Sequence, residues 1–153
     1  MPPKDAPSSA ALAQLADAVV ELAHQLDLRS PELRDVVPLT GTEIAVIRQI
    51  HRAPRSTPSQ IAESTGLRRS NVSTAIRALE AGGLVVREQL AGNARSVALV
   101  PTARAAESVA RINAYWAALL HDVPADLLRA GVEAAPALAG ISRAIVRRAD
   151  PER

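Results

Sequence analysis

Apolar residues recur at helical intervals over much of the chain. A first stripe after Ser9 repeats every three or four residues, the period of one face of an α-helix, and comprises Leu12, Leu15, Val19, Leu22 and Leu26. Two comparable faces follow near the other end, one with Val109, Ile112, Trp116 and Leu119, the other with Leu128, Val132, Leu138, Ile141 and Ile145. We expect Pro124 to separate these regions and Pro136 to kink or split the last one, because proline lacks the amide hydrogen and clashes with the preceding turn.

The middle of the chain has two clear helix starts. Thr40 precedes Glu43 by three residues, and Thr57 precedes Pro58 and Gln60. In this capping-box spacing each side chain satisfies a backbone group of the first turn, and proline suits the first helical position. The spacing predicts helices that run to about residue 52 and about residue 65.

A third central helix and a small ribbon follow. The helix spans about residues 70–81 and ends at Gly82 and Gly83, where a left-handed cap is sterically cheap. Residues 84–90 and 95–100 have strand character, and Gly92 with Asn93 between them suits a hairpin turn. Residues 1–8, rich in proline, are expected to be a disordered lead-in.

Composition favours helices and excludes cysteine chemistry. Alanine supplies 31 of the 153 residues, phenylalanine is absent, and Tyr115 and Trp116 are the only aromatic residues, so we expect a mainly α protein. The absence of cysteine excludes disulfides, thiolate metal sites and cysteine nucleophiles. No run reaches the 18 apolar residues of a membrane span, and prolines stand where a signal peptide needs an apolar stretch, so we expect a cytoplasmic protein.

The positive charge is concentrated in the centre of the chain. The whole chain has a net charge of only +2, but residues 41–100 hold eight arginines against four glutamates. A GC-rich genome would also favour arginine codons, so composition alone leaves the meaning open. The position of the arginines is more informative, because the planar guanidinium suits bidentate contact with phosphate or guanine.

The third central helix has two chemically different sides. At 100° per residue, one side carries Val72, Ala75, Ile76 and Leu79, and the other carries Ser70, Ser73, Thr74 and Arg77. Arg68, Arg69 and Asn71 lie near its start. Short hydroxyls and arginines together offer groups that read base edges and bind phosphates, although an ordinary solvated helix face would have a similar pattern.

Three segments of the chain resemble the MarR family of bacterial transcription regulators. They are "LTGTEIAVIRQI", "TPSQIAESTGLRRSNVSTAIRALEAGGLV" and "REQLAGNARSVALV", and together they look like that family's winged helix-turn-helix over residues 39–102. The resemblance implies a recognition helix over residues 67–81 and a wing tip at residues 92–96. The family commonly has an acidic residue and two arginines at the wing tip, whereas this chain has Asn93, Ala94 and Arg95. Arg68 also stands where a capping serine is usual. The backbone amides of the first turn would then be capped by Ser70 or by solvent.

The resemblance also implies an organisation into segments. Residues 9–38 would be an N-terminal dimerisation helix and connection, 39–101 the DNA-binding domain, 102–148 the C-terminal dimerisation helices and 149–153 a tail. The flanking apolar faces agree with a homodimer, because they are larger than a wing domain of this size can cover. The pair Tyr115 and Trp116 lies on a helix that the family uses to line an effector cleft, although core packing or a dimer interface would explain it as well.

We therefore expect a homodimeric, sequence-specific DNA-binding regulator, a repressor on a pseudo-palindromic operator, with release by a small-molecule effector. The predicted DNA-binding residues are Arg68, Arg69, Ser70, Asn71, Ser73, Thr74, Arg77 and Arg95. A winged-helix module that binds only protein is the alternative. No enzymatic motif is present, and we expect neither a cofactor nor a metal site. A metal-sensing variant could recruit histidines and carboxylates across helices, for instance His24, His51 or His121 with Glu21 or Asp122, but these residues lie on separate segments without local ligand spacing.

Overall fold

A computed structural model of the chain describes residues 6–26, 30–90 and 93–149. These residues form seven helices and one two-stranded antiparallel sheet. The elements are α1 (Ser9–Gln25), α2 (Pro31–Val36), α3 (Gly41–Arg52), α4 (Pro58–Thr65), α5 (Arg69–Ala81), β1 (Val85–Leu90), β2 (Asn93–Pro101), α6 (Ala103–Leu119) and α7 (Ala125–Ala149). The mainly α fold with a two-stranded wing is confirmed. None of the described helices is long and apolar enough to cross a bilayer.

The predicted capping boxes are present at α3 and α4. Thr40 Oγ1 accepts a hydrogen bond from the Glu43 amide at 3.3 Å, and Glu43 Oε2 accepts one from the Thr40 amide at 2.7 Å. Thr57 and Gln60 exchange the same pair of bonds at α4. Helix α5 differs: Arg68 is its N-cap and provides no side-chain bond, so the suggested cap by Ser70 is wrong and the first amides of α5 are left to solvent.

The core lies between α3, α4, α5, the sheet and the first half of α6. Its completely buried side chains include Ile47, Ile50, Ile61 and Leu79. A second, smaller cluster joins α2 to α3 and α6 through Leu33, Val37, Ile44 and Ile112. The helix-turn-helix and the wing therefore share one core, and α6 extends from it.

The wing is broader at its base than the sequence indicates. Strand β1 pairs with β2 from Val85 opposite Pro101 to Leu90 opposite Asn93, with an irregularity after Gln89. Ser56, which precedes α4, adds an isolated bridge to Leu99 of β2. Asn93 belongs to the strand rather than to a turn, while Gly92, predicted at the turn, lies outside the described residues.

Helices α1 and α7 leave large apolar areas uncovered. Helix α1 has no buried residue, and Leu12, Leu15 and Leu22 are 41–52% exposed. On α7, Val132 is 73% and Ile145 is 62% exposed. A surface of this kind indicates a site of association.

Pro136 does not split the last helix. Helix α7 continues through it from Ala125 to Ala149, so the expected split is wrong, whereas the kink, the other outcome expected at Pro136, stays a prediction. Val132, whose carbonyl loses its usual partner at position 136, is exposed. Water can therefore satisfy that carbonyl, which removes much of the reason for the helix to break.

The predicted lead-in and tail fall mostly outside the part of the chain that the structure describes. Residues 1–5 and 150–153 lie outside the described residues. Ser8, the last residue of the predicted lead-in, is the N-cap of α1, and its side chain accepts a hydrogen bond from the Ala11 amide. The first helix therefore takes its start from a residue that the sequence assigns to the lead-in.

The turn between α4 and α5 depends on glycine. Gly66 has φ +69°, and a Cβ added there would lie 3.1 Å from Val146 Cγ2 of α7. We expect Gly66→Ala to lower the free energy of unfolding by about 1–2 kcal/mol, because alanine is strained at positive φ and Val146 must also move. Denaturant unfolding at one protein concentration measures this change.

Gly131→Ala is the matched control for that substitution. Gly131 lies inside α7 with ordinary helical φ, and a Cβ added there meets no atom within 4 Å. Alanine should therefore raise the free energy of unfolding by about 0.4–1 kcal/mol. Equal changes at the two glycines would contradict the role of the turn.

Candidate nucleic-acid interface

Helix α5 presents one polar, solvent-exposed side. Val72, Ala75, Ile76 and Leu79 are buried in the core, as the periodicity predicts. The opposite residues, Ser70, Ser73, Thr74 and Arg77, are all exposed, and so are Arg68, Arg69 and Asn71 near the start of the helix. The fold thus brings together seven of the eight predicted DNA-binding residues on one accessible element.

The two helices of the motif are held at a sharp turn. Gly66 caps α4 in the left-handed conformation, and its amide donates to the Ala62 carbonyl at 3.0 Å. Leu67 then packs, partly buried, against the core cluster to which Ala62 belongs. A small residue, a left-handed glycine and an apolar residue thus follow one another at this turn, and they hold α5 with its polar side outward.

Arg77 lies along the exposed side of α5. Its Nε donates to the Ser73 carbonyl and its Nη2 to Thr74 Oγ1, both at 3.3 Å. These are long bonds between exposed groups, so exchanging them for bonds to a ligand costs little free energy. The guanidinium is therefore oriented along the polar side without being held there strongly.

Other arginines of the basic centre form ion pairs with glutamates of the same chain. Arg87 of β1 forms a two-bond ion pair with Glu80 of α5, at 2.6 and 3.0 Å, and the hydrogen bond to Glu80 raises the pKa of Arg87. Arg55, at positive φ before α4, pairs with Glu88 of β1. These pairs join the wing to the helices, and the sequence contained no local signal for them because their members are 7 and 33 residues apart.

The wing residue Arg95 belongs to β2, on the part of the strand nearest to the hairpin end. Of the predicted wing tip, residues 93–96 belong to β2, whereas Gly92 lies outside the described residues. The assignment of Arg95 to DNA stays a prediction.

Tyr115 and Trp116 are half-buried on α6 and pack against the second core cluster. The Tyr115 hydroxyl is 3.2 Å from Ser30 Oγ, so it contributes to the start of α2.

The Arg48 guanidinium lies 4.2 Å from the centre of the Trp116 ring and donates to Asn113 Oδ1 at 2.6 Å. Burial, and to a lesser extent Arg52, lower the pKa of Arg48. Trp116 Nε1 is buried without a hydrogen-bond partner among the described residues.

The three histidines lie apart in the fold. His24 is in the last turn of α1, His51 is in the last turn of α3 and His121 follows α6. Within the described ranges, no three histidine, aspartate or glutamate residues are grouped so that they could hold a metal ion.

Comparison with known proteins agrees with this architecture. Residues 37–96 match the model of the MarR family. No curated protein matches the sequence of the chain. The family match covers α3, α4, α5, β1 and the start of β2, and thus most of the segment that carries the resemblance seen in the sequence.

Solved structures extend the likeness to the whole fold. A MarR transcriptional regulator from Methanosarcina mazei Go1 has 11% identity and a TM-score of 0.70, over 87% of this chain and 99% of that one. A MarR-family transcriptional regulator from Rhodococcus sp. RHA1 has 16% identity and a TM-score of 0.67, over 86% and 96% of the two chains. NadR in complex with 4-hydroxyphenylacetate has 20% identity and a TM-score of 0.61, over 91% and 98%. The resemblance to MarR-family winged helix-turn-helix regulators is confirmed.

Proposed function

We propose, on the premise of this MarR-type fold, that the protein is a homodimeric, sequence-specific DNA-binding regulator that represses transcription from a pseudo-palindromic operator. Residues 39–101 would bind DNA, and residues 9–38 and 102–148 would form the dimer. The observation that carries the proposal is the uncovered polar side of α5, with Ser70, Ser73, Thr74 and Arg77 exposed opposite a fully packed apolar side.

This side of α5 has the chemistry of a recognition helix. An α-helix fits the major groove of B-DNA, where arginine binds guanine through two hydrogen bonds and hydroxyls contact either bases or phosphates. Arg68, Arg69 and Asn71 stand at the N-terminal end of α5, the end from which recognition helices commonly contact base edges. Arg55 and Arg87 are each paired with a glutamate, whereas Arg68 and Arg69 place two exposed positive charges at the start of α5.

The dimer is supported by the uncovered apolar stripes of α1 and α7. Both helices extend beyond the shared core, and a second copy of the chain would cover equivalent stripes by two-fold symmetry. Such symmetry would present two recognition helices to successive major grooves, about 34 Å apart along the duplex.

Selection of bound duplexes from a random pool, at a low and a high salt concentration, tests the proposal. We expect enrichment of two inverted half-sites about one helical turn apart, and an affinity that falls steeply with salt because bound counterions are released. If no sequence is enriched and no duplex binds at low salt, the proposal fails and a protein-interaction module becomes the better interpretation.

Arg95→Ala tests the contribution of the wing. We expect weaker binding to every duplex, specific or not, and a shallower dependence of log K on log salt, by about one unit for each phosphate that Arg95 neutralises. Titrations of an operator duplex and a random duplex at four salt concentrations measure both effects. Weaker binding confined to the operator would instead assign Arg95 to base recognition.

We also propose an effector site beside Tyr115 and Trp116. The buried Trp116 Nε1 lacks a partner among the described residues, and Arg48 supplies a positive charge over the ring. One structural neighbour, NadR, is solved with 4-hydroxyphenylacetate. An effector would act by favouring a spacing of the two recognition helices that fits DNA poorly.

Fluorescence of Trp116, the single tryptophan of the chain, tests this site directly. We expect 4-hydroxyphenylacetate or a related aromatic acid to change the emission saturably and to weaken operator binding over the same concentrations. The Arg48→Ala variant should lose both responses, since it lacks the cation. Retention of both would exclude this site.

A further inference from the structure

We propose that Arg104 of α6 is a positioning residue for the recognition helix, and that it sets the direction of α5 relative to α6 and so to the second copy of the chain. The proposal rests on the proposed dimer for the second copy and on the proposed DNA binding for its DNA readout, whereas the contact between Arg104 and the end of α5 rests on neither. Arg104 Nη1 donates a hydrogen bond of 2.9 Å to the Gly82 carbonyl, directly after the last residue of α5.

A cation would stabilise the end of α5, and the helix's own last turn does not supply one. The last turn of α5 contains no basic residue. Its carbonyls carry the negative end of the helix dipole, which a cation near the C-terminus stabilises. Arg104 reaches this position from another helix, 22 residues further along the chain. The hydrogen bond to the Gly82 carbonyl therefore has an electrostatic as well as a geometric component.

The glycine turn brings the guanidinium close to the helix end. Gly83 has φ +67°, and a Cβ placed on it would lie 3.9 Å from Arg104 Nη1. The turn thus carries the chain away from α5 while the Gly82 carbonyl stays open to Arg104.

Thr102 ties the same two helix ends together. Its Oγ1 lies 2.9 Å from the Gly83 carbonyl oxygen, to which it donates, and it accepts from the Ala105 amide as the N-cap of α6. The Thr102 amide donates to the Leu84 carbonyl at 3.0 Å. The start of α6 and the end of α5 are consequently joined at adjacent residues.

The connection is suited to transmit a change of position because α6 runs from the shared core to an end at which an apolar side chain is exposed. Ala105 and Val109, near its start, are buried in the core that also contains Val72 and Leu79 of α5. Further along, Leu119 is 46% exposed. A rotation of α6 would therefore move Arg104 and, through its hydrogen bond to the Gly82 carbonyl, the end of α5.

Two variants separate this role from a general effect of charge. Arg104→Lys keeps a cationic donor for a single carbonyl, so it should behave as the wild type. Arg111→Ala is the matched control: Arg111 lies two turns further along α6, is exposed and borders the same shallow groove as Arg104, but has no hydrogen bond to the end of α5.

The DNA measurement compares a full operator with a duplex that contains one half-site. Only the full operator requires both recognition helices at a set separation, so only it reports their mutual position. We expect Arg104→Ala to weaken full-operator binding about tenfold while half-site binding changes less than about twofold. It should also reduce the discrimination against operators whose half-sites are one base pair closer or farther apart.

Amide hydrogen exchange of the unbound protein provides a readout that does not depend on DNA. In Arg104→Ala the amides of Gly82, Gly83 and Leu84 should exchange about tenfold faster, and those of α3 should be unchanged. Unchanged exchange at these three amides would overturn the proposal. Faster exchange with equal weakening on the full operator and the half-site would also overturn it, since Arg104 would then only stabilise the domain.

Failure of the proposed function has a different signature. If the wild type binds no duplex, the DNA-binding proposal falls. The local exchange result, compared with Arg104→Lys and Arg111→Ala, would still show whether Arg104 holds the end of α5 on α6.

Discussion

Removal of the guanidinium at Arg77 or Arg69 should weaken binding to the selected operator by about 1–3 kcal/mol per half-site, roughly 5- to 150-fold. Both side chains are exposed on α5 or at its start. A bidentate contact between arginine and guanine accounts for discrimination of this size. The effect should be largest at one or two base pairs of each half-site and small on random duplex.

Stability should remain nearly unchanged in both variants. Arg77 makes only two long, exposed bonds within its own helix, and such surface contacts contribute little to folding. Arg129→Ala is a suitable control, because it also removes an exposed arginine, from α7 instead of α5. Anisotropy titrations of operators altered one base pair at a time measure the specificity, and unchanged operator affinity in both helix variants would remove the assignment of α5 to base recognition.

The double variant Leu15→Glu with Leu22→Glu should weaken operator binding most. These leucines belong to the uncovered stripe of α1 and are 41% and 51% exposed. Two carboxylates in each copy would have to be buried without partners if the stripes met across a dimer interface. We expect a monomer at micromolar concentration, and an operator affinity about 10²- to 10⁴-fold lower because a monomer cannot bind through two linked half-sites.

Sedimentation velocity and operator titration together measure this effect. Gln14→Glu with His24→Glu adds carboxylates to the polar side of the same helix, so it should keep both the dimer and the affinity. A wild type that sediments as a monomer, or a double leucine variant that stays a dimer, would show that α1 does not form the interface. Half-site binding should persist in the leucine variant, because α1 contributes no buried residue to the core that holds α5.

Much of the winged helix-turn-helix could be predicted from short-range patterns. Thr40 with Glu43 and Thr57 with Gln60 mark helix starts through hydrogen bonds between residues three apart. The two sides of α5 follow from the helical period alone. Of the two alternatives for the first turn of α5, the cap by Ser70 is wrong and the cap by solvent agrees with the structure, because a serine near a helix start does not by itself show which residue is the N-cap.

The tertiary structure decided which polar groups remain available. Arg87 and Arg55 belong to the basic centre of the sequence, but Arg87 pairs with Glu80 and Arg55 pairs with Glu88. Arg104, just beyond that centre, donates to the Gly82 carbonyl. The tertiary structure also decided that α7 runs through Pro136, because Val132, whose carbonyl loses its partner at that position, is exposed to water. Hydrophobic period and capping act within one or two turns and are therefore determined by the sequence itself, whereas ion pairs between elements depend on distances that exist only after the chain has packed.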